Sequence, residues 1–367
     1  MTAYVIPPVT ASQVARGATR FAITDAQLLY SSVPEAPPPA YSAGATYTDG
    51  AECSAGMVGG VITVWRSLQD GNLGNAPEEG AWWTRVGETY AEWSAPTVYA
   101  AGDMVLRVPT HSVYKRVTPG SSSQLPEDDA TGVNWVRVAT SNRWAMFDLL
   151  SATPTRAVSP LTVRLAPGRV SALMLLGVSD GTAKFGMTSG AANVWDPPAQ
   201  PLDTTPIGSW EDYFFSAFAV RGNILRLDVP TYADGVIDLL LSAGVDTEIG
   251  KLIVGEAVPL GDTRKGPRVR RRSFTEVDRD KYGELQGILQ RKSIPLVTQA
   301  TYCRKELAVR ARAALDFAAS VPCVFIGLDD DQDEYADLLS LLAICLDSDL
   351  DLSERDECEI NMELEGV

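Results

Sequence analysis

The chain has 367 residues, and this length predicts roughly two to four domains rather than one hydrophobic core. Hydrophobic residues make up 45% and charged residues 21%, a globular composition that excludes a disordered chain. The net charge of −16 disfavours nucleic acid as a partner, because contacts to phosphates need a positive surface.

The N-terminal part, residues 1–40, is predicted to be a strand segment followed by a linker. Residues 1–8 lack the basic start and apolar stretch of a secretory signal, so we expect the chain to fold in a cytoplasm. Residues 34–39 read Pro-Glu-Ala-Pro-Pro-Pro, which is typical of a stiff, extended linker. No apolar run reaches the length of about 18 residues that spans a bilayer, so no membrane insertion is expected.

An internal repeat with a period of about fifty residues follows the linker. Its first unit covers residues 41–90 and its second residues 91–140. Aromatic residues and a glycine recur at identical spacing: Tyr41, Tyr47 and Gly50 match Trp93, Tyr99 and Gly102. Both units close with Trp-x-Arg-Val, and each is predicted to be a small β-module of short strands and polar turns.

Modules this small bury little apolar area, so large aromatic side chains must supply much of each core. The aromatic residues predicted to be structural are Tyr47, Trp65, Trp83, Tyr99, Tyr114 and Trp135. This requirement explains why they recur without invoking a ligand.

The two units resemble the small carbohydrate-binding modules of the chitin-binding type found in bacterial chitinases. The resemblance covers about residues 41–87 and 93–139, and the second unit fits better through Tyr-Ala-Ala-Gly-Asp-Met-Val at 99–105. The first departs by carrying Ala51 and Glu52 after its glycine and an insertion at 53–60. In that family, exposed aromatic rings stack on sugars.

Three aromatic residues are the candidates for such stacking. Trp82 is adjacent to Trp83, and neighbouring side chains on a strand point to opposite faces, so a buried Trp83 predicts an exposed Trp82. Trp93 and Tyr90 are the further candidates. The other interpretation is that all of these aromatic residues are structural and the modules are spacers.

Residues 141–265 are predicted to form a jelly-roll-like β-sandwich, because short apolar or alternating runs are bounded by Gly, Pro, Asn and Asp turns. Residues 266–367 are predicted to form an α+β domain. It contains an amphipathic helix at 305–319, strands at 321–327 and 358–365, and a leucine-rich stretch at 335–346 where helix and strand cannot be separated. The fold class is therefore mainly β with a smaller α+β C-terminal domain.

Several segments of this region resemble a family of bacteriophage distal tail or tail-tip structural proteins. The segments are residues 142–148, 210–215, 249–255, 273–278, 321–327 and 358–366. The resemblance covers about residues 141–367. It implies a sandwich domain and a ring-forming domain that assemble in several copies around the tail axis of the virion. It also implies tail-tube, hub and fibre proteins as partners, and no cofactor. The alternative function is a receptor-binding adhesin that recognises a host surface glycan.

Charge is unevenly distributed along the C-terminal domain. Six basic residues occupy positions 264–272, and fifteen acidic residues against one basic residue follow from position 329 onward. The arginines predicted as interface candidates are Arg268, Arg270, Arg271 and Arg272. Such runs are typical of solvated faces, and in a protein that stacks with copies of itself they can also set the register of the interface.

No catalytic site is predicted. The one histidine, His111, falls in a predicted turn of the second module, and we expect it to be solvated. The five cysteines have no metal-ligand spacing and are predicted to be buried and free. The acidic run at 329–334 lacks the glycine and distal glutamate of a calcium loop, so no metal site is predicted. A polysaccharide-degrading enzyme is the last-ranked function, because modules of this size offer no cleft for a carboxylate pair.

Overall fold

The computed structural model describes residues 1–121, 123–149, 153–178, 181–202, 222–264, 266–279, 285–289, 293–329, 335–352 and 356–367. Within these ranges the protein is mainly β, built from antiparallel sheets with one long helix in its C-terminal part. This confirms the predicted fold class.

Short strands follow one another along most of the chain. The first ten strands are β1 (Thr2–Ile6), β2 (Leu28–Ser31), β3 (Thr46–Tyr47), β4 (Glu52–Val58), β5 (Val61–Ser67), β6 (Asn72–Leu73), β7 (Trp83–Tyr90), β8 (Met104–Arg107), β9 (Ser112–Arg116) and β10 (Trp135–Thr140). The next ten are β11 (Thr155–Val158), β12 (Leu161–Leu165), β13 (Ala172–Val178), β14 (Thr182–Ser189), β15 (Ala192–Trp195), β16 (Gln200–Pro201), β17 (Asn223–Arg226), β18 (Val236–Ser242), β19 (Asp246–Gly255) and β20 (Val258–Thr263). The last are β21 (Arg268–Arg272), β22 (Glu276–Arg279), β23 (Leu285–Leu289), β24 (Ile294–Arg304), β25 (Cys323–Ile326), β26 (Ser340–Asp351) and β27 (Glu357–Gly366). Among the described residues, the helices are α1 (Ala11–Ala15) and α2 (Lys305–Ala318), and short 3₁₀ turns lie at Val108–Thr110, Pro126–Asp128, Ala145–Phe147 and Asp337–Leu339.

The two repeats form two small antiparallel sheets. The first module has the strand order β4-β5-β7 with a β3-β6 ribbon, and the second has the order β10-β9-β8. The same edge-on aromatic pair lies in each: Tyr47 and Trp83 have ring centroids 5.0 Å apart, and Tyr99 and Trp135 have theirs 5.1 Å apart. The backbone amide five residues before each tyrosine donates to its hydroxyl at 2.8 Å in both modules. The aromatic spacing of the sequence therefore corresponds to one local structure built twice.

Two sheets pack face to face behind the modules to form a sandwich. One has the order β11-β19-β13-β17, and the other has the order β15-β14-β18-β12-β2, with β16 also paired to β14. Apolar side chains alternate into the space between them, and Leu161, Leu165 and Phe185 are almost completely inaccessible to solvent. Each such side chain contributes roughly 1.5–3 kcal/mol by leaving water, so burial of this core stabilises the sandwich.

The C-terminal sheet closes on itself. Its order is β20-β1-β25-β26-β27-β24, and β20 pairs again with β24, so the strands form a ring of six with β21 added along β24. Helix α2 packs against this barrel through Ala311, Ala314, Leu315 and Ala318, whose spacing places them on one face of a helix. The helix predicted at 305–319 and the strands predicted at 321–327 and 358–365 are confirmed by α2, β25 and β27.

The N-terminal segment is divided between two units. Strand β1 lies between β20 and β25 in the barrel, whereas β2 pairs with β12 in the sandwich. The predicted linker at 34–39 is not free either, because Pro34 and Glu35 are buried and the carbonyl of Pro39 accepts a hydrogen bond from the amide of Ser54 at 2.9 Å. Contacts at both ends therefore hold the predicted linker segment against the rest of the chain.

Candidate functional site

The repeat aromatics divide by burial. Trp83, Tyr99, Tyr114 and Trp135 are buried in the module cores. Tyr47 and Trp65 are half-buried, so the first module has the looser aromatic core. In the second module, Val105 completes a packed cluster with the two tyrosines and Trp135.

Trp82 does not have the exposure that its neighbour's burial predicted. It lies immediately before β7, is half-buried, and its carbonyl accepts a hydrogen bond from the amide of Leu68 at 3.0 Å. In the second module the same backbone position belongs to Asn134, whose carbonyl accepts from Val117 at 2.9 Å. The repeat therefore keeps the backbone contact at this position but not the aromatic ring. The expected alternation of buried and exposed side chains does not apply to Trp82, because the strand begins only at Trp83.

Trp93 is a partly buried member of the second module's core. The guanidinium of Arg107 lies 5.1 Å from its ring centroid, and Arg107 is itself held by Glu127 at 2.6 Å. Burial raises the pKa of Glu127, but the hydrogen bonds from Arg107 and from the backbone outweigh it, and that pKa lies below its usual value. A charge-paired arginine thus covers the ring that would have had to face a sugar.

Tyr90 is the third candidate, and it lies at the other end of β7 from Trp82. It is half-buried and is paired in register with Val61. At about 3.3 Å per residue, the strand separates Trp82 and Tyr90 by roughly 25 Å. The three candidate rings consequently do not form one platform.

His111 is buried, and the expectation that it is a solvated turn residue was wrong. It has a left-handed backbone with φ of 48°, and its ring stacks on Trp144 with centroids 3.9 Å apart. Its Nδ1 lies 2.9 Å from Oε1 of Glu35, and its Nε2 lies 2.7 Å from Oδ1 of Asp25. Because carboxylates occupy both ring nitrogens, the histidine fastens the second module to the N-terminal segment rather than serving as a free base.

Glu35 is the centre of this junction. Its carboxylate accepts hydrogen bonds from the hydroxyl of Ser141 at 2.7 Å and from the indole N–H of Trp144 at 3.2 Å, in addition to its contact with His111. Its backbone carbonyl accepts a hydrogen bond from the hydroxyl of Thr89 in the first module. One residue of the linker therefore contacts both modules and the start of the sandwich.

The predicted interface arginines lie on β21, and all five residues of that strand are exposed. Arg272 pairs with Glu365 at 3.1 Å. The other three, Arg268, Arg270 and Arg271, make no ion pair with any residue that the structure describes. Strand β21 is bonded to β24 along one edge, and its second edge has no partner among the described strands.

Strands β26 and β27 carry the acidic counterpart. Cys358, Ile360 and Met362 alternate inward, and the acidic residues of β27 alternate outward. The carboxylates that lie on this outer side of the two strands are Asp347, Asp349, Asp351, Glu357, Glu359, Glu363 and Glu365. We call this set the acidic face. Arg264 and Arg272 pair with two of its members, Glu359 and Glu365.

The cysteines are buried free thiols, as predicted. Cys303 and Cys358 are directly opposite each other on β24 and β27, and burial raises the pKa of Cys303 to about 11. A thiol of this kind is protonated and unreactive near neutrality.

No family model matches the chain, and no curated protein matches it either.

Among the described residues, no group of three or more His, Cys, Asp or Glu side chains is arranged to hold a metal ion. Asp329 accepts a hydrogen bond from the backbone of Thr2 at 3.0 Å, and the rest of the acidic run, 330–334, lies outside the described residues, as does the segment 210–215 of the tail resemblance. No helix in the described ranges is both long and apolar enough to cross a membrane.

Proposed function

We propose that this protein is a non-enzymatic structural component of a phage tail tip, which forms a ring of identical copies around the tail axis. In this role it connects the tail tube to hub or fibre proteins in the virion. The observation that carries the proposal is the separation of charge on one barrel: an exposed arginine strand, whose second edge has no partner among the described strands, and an acidic face that begins two strands away.

Complementary patches at different places on one molecule favour head-to-tail contact. Such a contact generates a closed ring when the rotation between copies closes, whereas a self-complementary patch generates a two-fold dimer. The arginine strand of one copy would meet the acidic face of the next. Each exposed ion pair is worth only up to about 1 kcal/mol, so we expect the array to set orientation and register. Strand addition along the edge of β21 that no described strand occupies would supply further hydrogen bonds.

The packing of the N-terminal segment also supports a scaffold. Strand β1 closes the barrel, and β2 extends the sandwich. Glu35, which follows β2, contacts both modules through His111 and Thr89. The two modules, the sandwich and the barrel are therefore all in contact with the N-terminal segment. Units held together in this way can fix the relative positions of the proteins that bind to them. Both ring nitrogens of His111 contact carboxylates, so neither is left free for acid–base chemistry.

The test is a charge exchange between the two surfaces. Arg268→Glu, Arg270→Glu and Arg271→Glu together should abolish assembly of the full chain in sedimentation velocity, and Asp347→Lys, Asp349→Lys and Glu363→Lys together should do the same. An equimolar mixture of the two variants should assemble again, because each then offers the other a complementary surface.

The matched control reverses three exposed arginines elsewhere, Arg16, Arg169 and Arg312, to glutamate. This variant has the same change in net charge and should assemble like the parent chain. If the parent chain sediments as a monomer at all concentrations, or if the mixture fails to assemble, the proposed ring is wrong.

The second candidate function is a glycan-binding adhesin. The cover of Arg107 over Trp93 and the partial burial of Trp82 speak against stacking on the module surfaces predicted from the sequence. If this function is present, it requires a different site.

A further inference from the structure

Arg116, on β9 of the second module, is a buried cation. Only 2% of its surface is exposed, and its guanidinium lies over the ring of Trp135, 4.8 Å from the ring centroid. Its Nε and Nη1 have no hydrogen-bond partner, and it makes no ion pair with any residue that the structure describes. The indole Nε1 of Trp135 is buried without a partner as well. A guanidinium keeps its charge in proteins, so a positive charge and three donors are enclosed together.

Arg107 of the same module shows how an arginine over a tryptophan is balanced when the chain itself supplies the partner. Its guanidinium lies 5.1 Å from the ring centroid of Trp93. Its Nε donates to one carboxylate oxygen of Glu127 at 2.9 Å, and its Nη2 donates to the other at 2.6 Å. Arg116 has the same position over an indole but no such carboxylate. Because a buried charge is costly unless it is paired and hydrogen-bonded, the comparison indicates that an anion of similar shape balances Arg116.

The first module fills the equivalent space with its own polar groups. Ser67 stands where the second module has Arg116, and the carbonyl oxygen of each accepts from the matched glycine amide, at 2.9 and 2.8 Å. The Ser67 hydroxyl accepts from a neighbouring asparagine side chain at 3.0 Å. The indole N–H of Trp83, which matches Trp135, donates to the carbonyl of Asn75 at 3.0 Å. The polar groups are thus satisfied within the first module, whereas the second has a cation and unpartnered donors at the same place.

The guanidinium of Arg116 approaches the surface at Gly120. This glycine is half-buried and has φ of 129°, in the region that favours glycine. A Cβ built on it would lie 4.0 Å from Nη2 of Arg116 and within 4 Å of no other described atom beyond its chain neighbours. Nη2 shares one edge of the planar fork with Nε and another with Nη1. An oxyanion that reaches Nη2 can therefore take up the two parallel hydrogen bonds that carboxylates and phosphates form with arginine.

Ordered water is the competing occupant, because buried water commonly satisfies polar groups. A water molecule supplies acceptors to N–H groups, but it brings no negative charge. The three unpartnered groups are all donors, so they offer no acceptor for the hydrogens of a water molecule. An anion meets both requirements, because it is an acceptor and it neutralises the guanidinium.

We propose that the second module binds a small oxyanion of the carboxylate or phosphate class at Arg116, which holds it through two guanidinium nitrogens beside the indole of Trp135. We call this the Arg116 site. The ligand is recognised by its charge and planar pairs of oxygens, not by stacking on an exposed ring. The site lies outside the barrel, so it does not depend on ring assembly.

The experiment is an NMR titration of the full chain with sodium acetate and with sodium phosphate at constant ionic strength. It follows the arginine Nε–H and the tryptophan indole N–H signals. Those of Arg116 and Trp135 are assigned by their loss in Arg116→Lys and Trp135→Phe. With at least one of the two anions, both signals should shift together and saturate with one Kd. The signal of Arg107, which Glu127 already holds, should stay in place.

Three variants sharpen the assignment. Arg116→Met keeps an unbranched stem over Trp135 without charge or donors, and it should abolish the saturable shift of the Trp135 indole signal. Arg116→Lys keeps the charge without the planar fork, and it should weaken binding roughly tenfold. The matched control is Lys115→Met, which removes one exposed positive charge from the neighbouring position and should change the affinity by less than about twofold.

The inference is overturned if neither anion gives a saturable shift at Arg116, which would leave ordered water only. It is also overturned if Arg116→Met binds like the parent, or if Lys115→Met loses binding as completely as Arg116→Met does. The variant with Arg268, Arg270 and Arg271 reversed should bind the anion normally, so failure of the ring and failure of this site are distinguishable.

Discussion

The two modules share one internal design and differ in how they are attached. In the second, the aromatic core is closed and His111 is inserted into a buried junction with Glu35 and Trp144. In the first, Trp65 and Tyr47 are half-buried, and the pair of Arg85 with Asp246 bridges an open cavity of about 800 Å³ between that module and the sandwich. The aromatic residues that the modules share therefore form the inside of each module, whereas partners outside the modules, Asp246 for Arg85 and Glu35 for His111, determine whether a junction is left open or sealed.

The largest effect should come from the residues that the modules share. Trp135→Ala and Trp83→Ala each remove a fully buried indole, and each should lower the free energy of unfolding of its module by about 3–5 kcal/mol. Guanidinium denaturation followed by fluorescence would measure this. If only one of the two substitutions lowered the free energy of unfolding, the two module cores would not be equivalent.

The next effect separates the two attachments. His111→Ala leaves the buried carboxylate of Glu35 without its imidazole partner, and it should cost about 3 kcal/mol. The matched position in the first module is Ile62, three residues before Trp65 as His111 is three before Tyr114, and Ile62 is only half-buried. Ile62→Ala should cost about 1 kcal/mol. Equal losses, measured by the same denaturation, would contradict a sealed junction specific to the second module.

The smallest effect concerns a loop of the second module. Hydrogen bonds from the Thr131 hydroxyl and from the amides of Trp135 and Asn134 lower the pKa of Asp129 to about 2. A carboxyl whose pKa is depressed by folding contributes stability above its unfolded value, near 4, and this contribution is lost as the pH falls towards 2. Asp129→Asn should therefore flatten the acid limb of the stability profile between about pH 4 and pH 2.

The control for that loop is the neighbouring Asp128→Asn, which leaves the three hydrogen bonds in place. Thermal unfolding of both variants across this pH range makes the comparison. If the two variants give the same profile, the bonds to Asp129 do not stabilise the module.

Local patterns in the sequence predicted much of the fold. The spacing of Tyr47 and Trp83, repeated in Tyr99 and Trp135, corresponds to two like aromatic pairs, and the alanine-rich stretch forms α2. In these cases the partners lie within one short element or one module, so spacing alone carries the information.

Long-range contacts were not predictable in the same way. His111 is buried by Glu35 and Asp25, which lie 76 and 86 residues away, and no local feature of a turn indicates such partners. Strand β1, at the N-terminus, pairs with β20 and β25, which lie more than 250 residues later in the chain. The cavity between the first module and the sandwich likewise forms only because β7 and β11 approach each other. The signal available in the sequence was indirect: the predicted turn that contains His111, and a glutamate, Glu35, among the prolines of residues 34–39.

The most direct test of the proposed ring is electron microscopy of tails labelled with an antibody against the second module, together with class averages of the purified chain. We expect a closed ring of identical subunits with a central channel, at the distal end of the tail. Unlabelled tails and single particles with no ring at any protein concentration would contradict it.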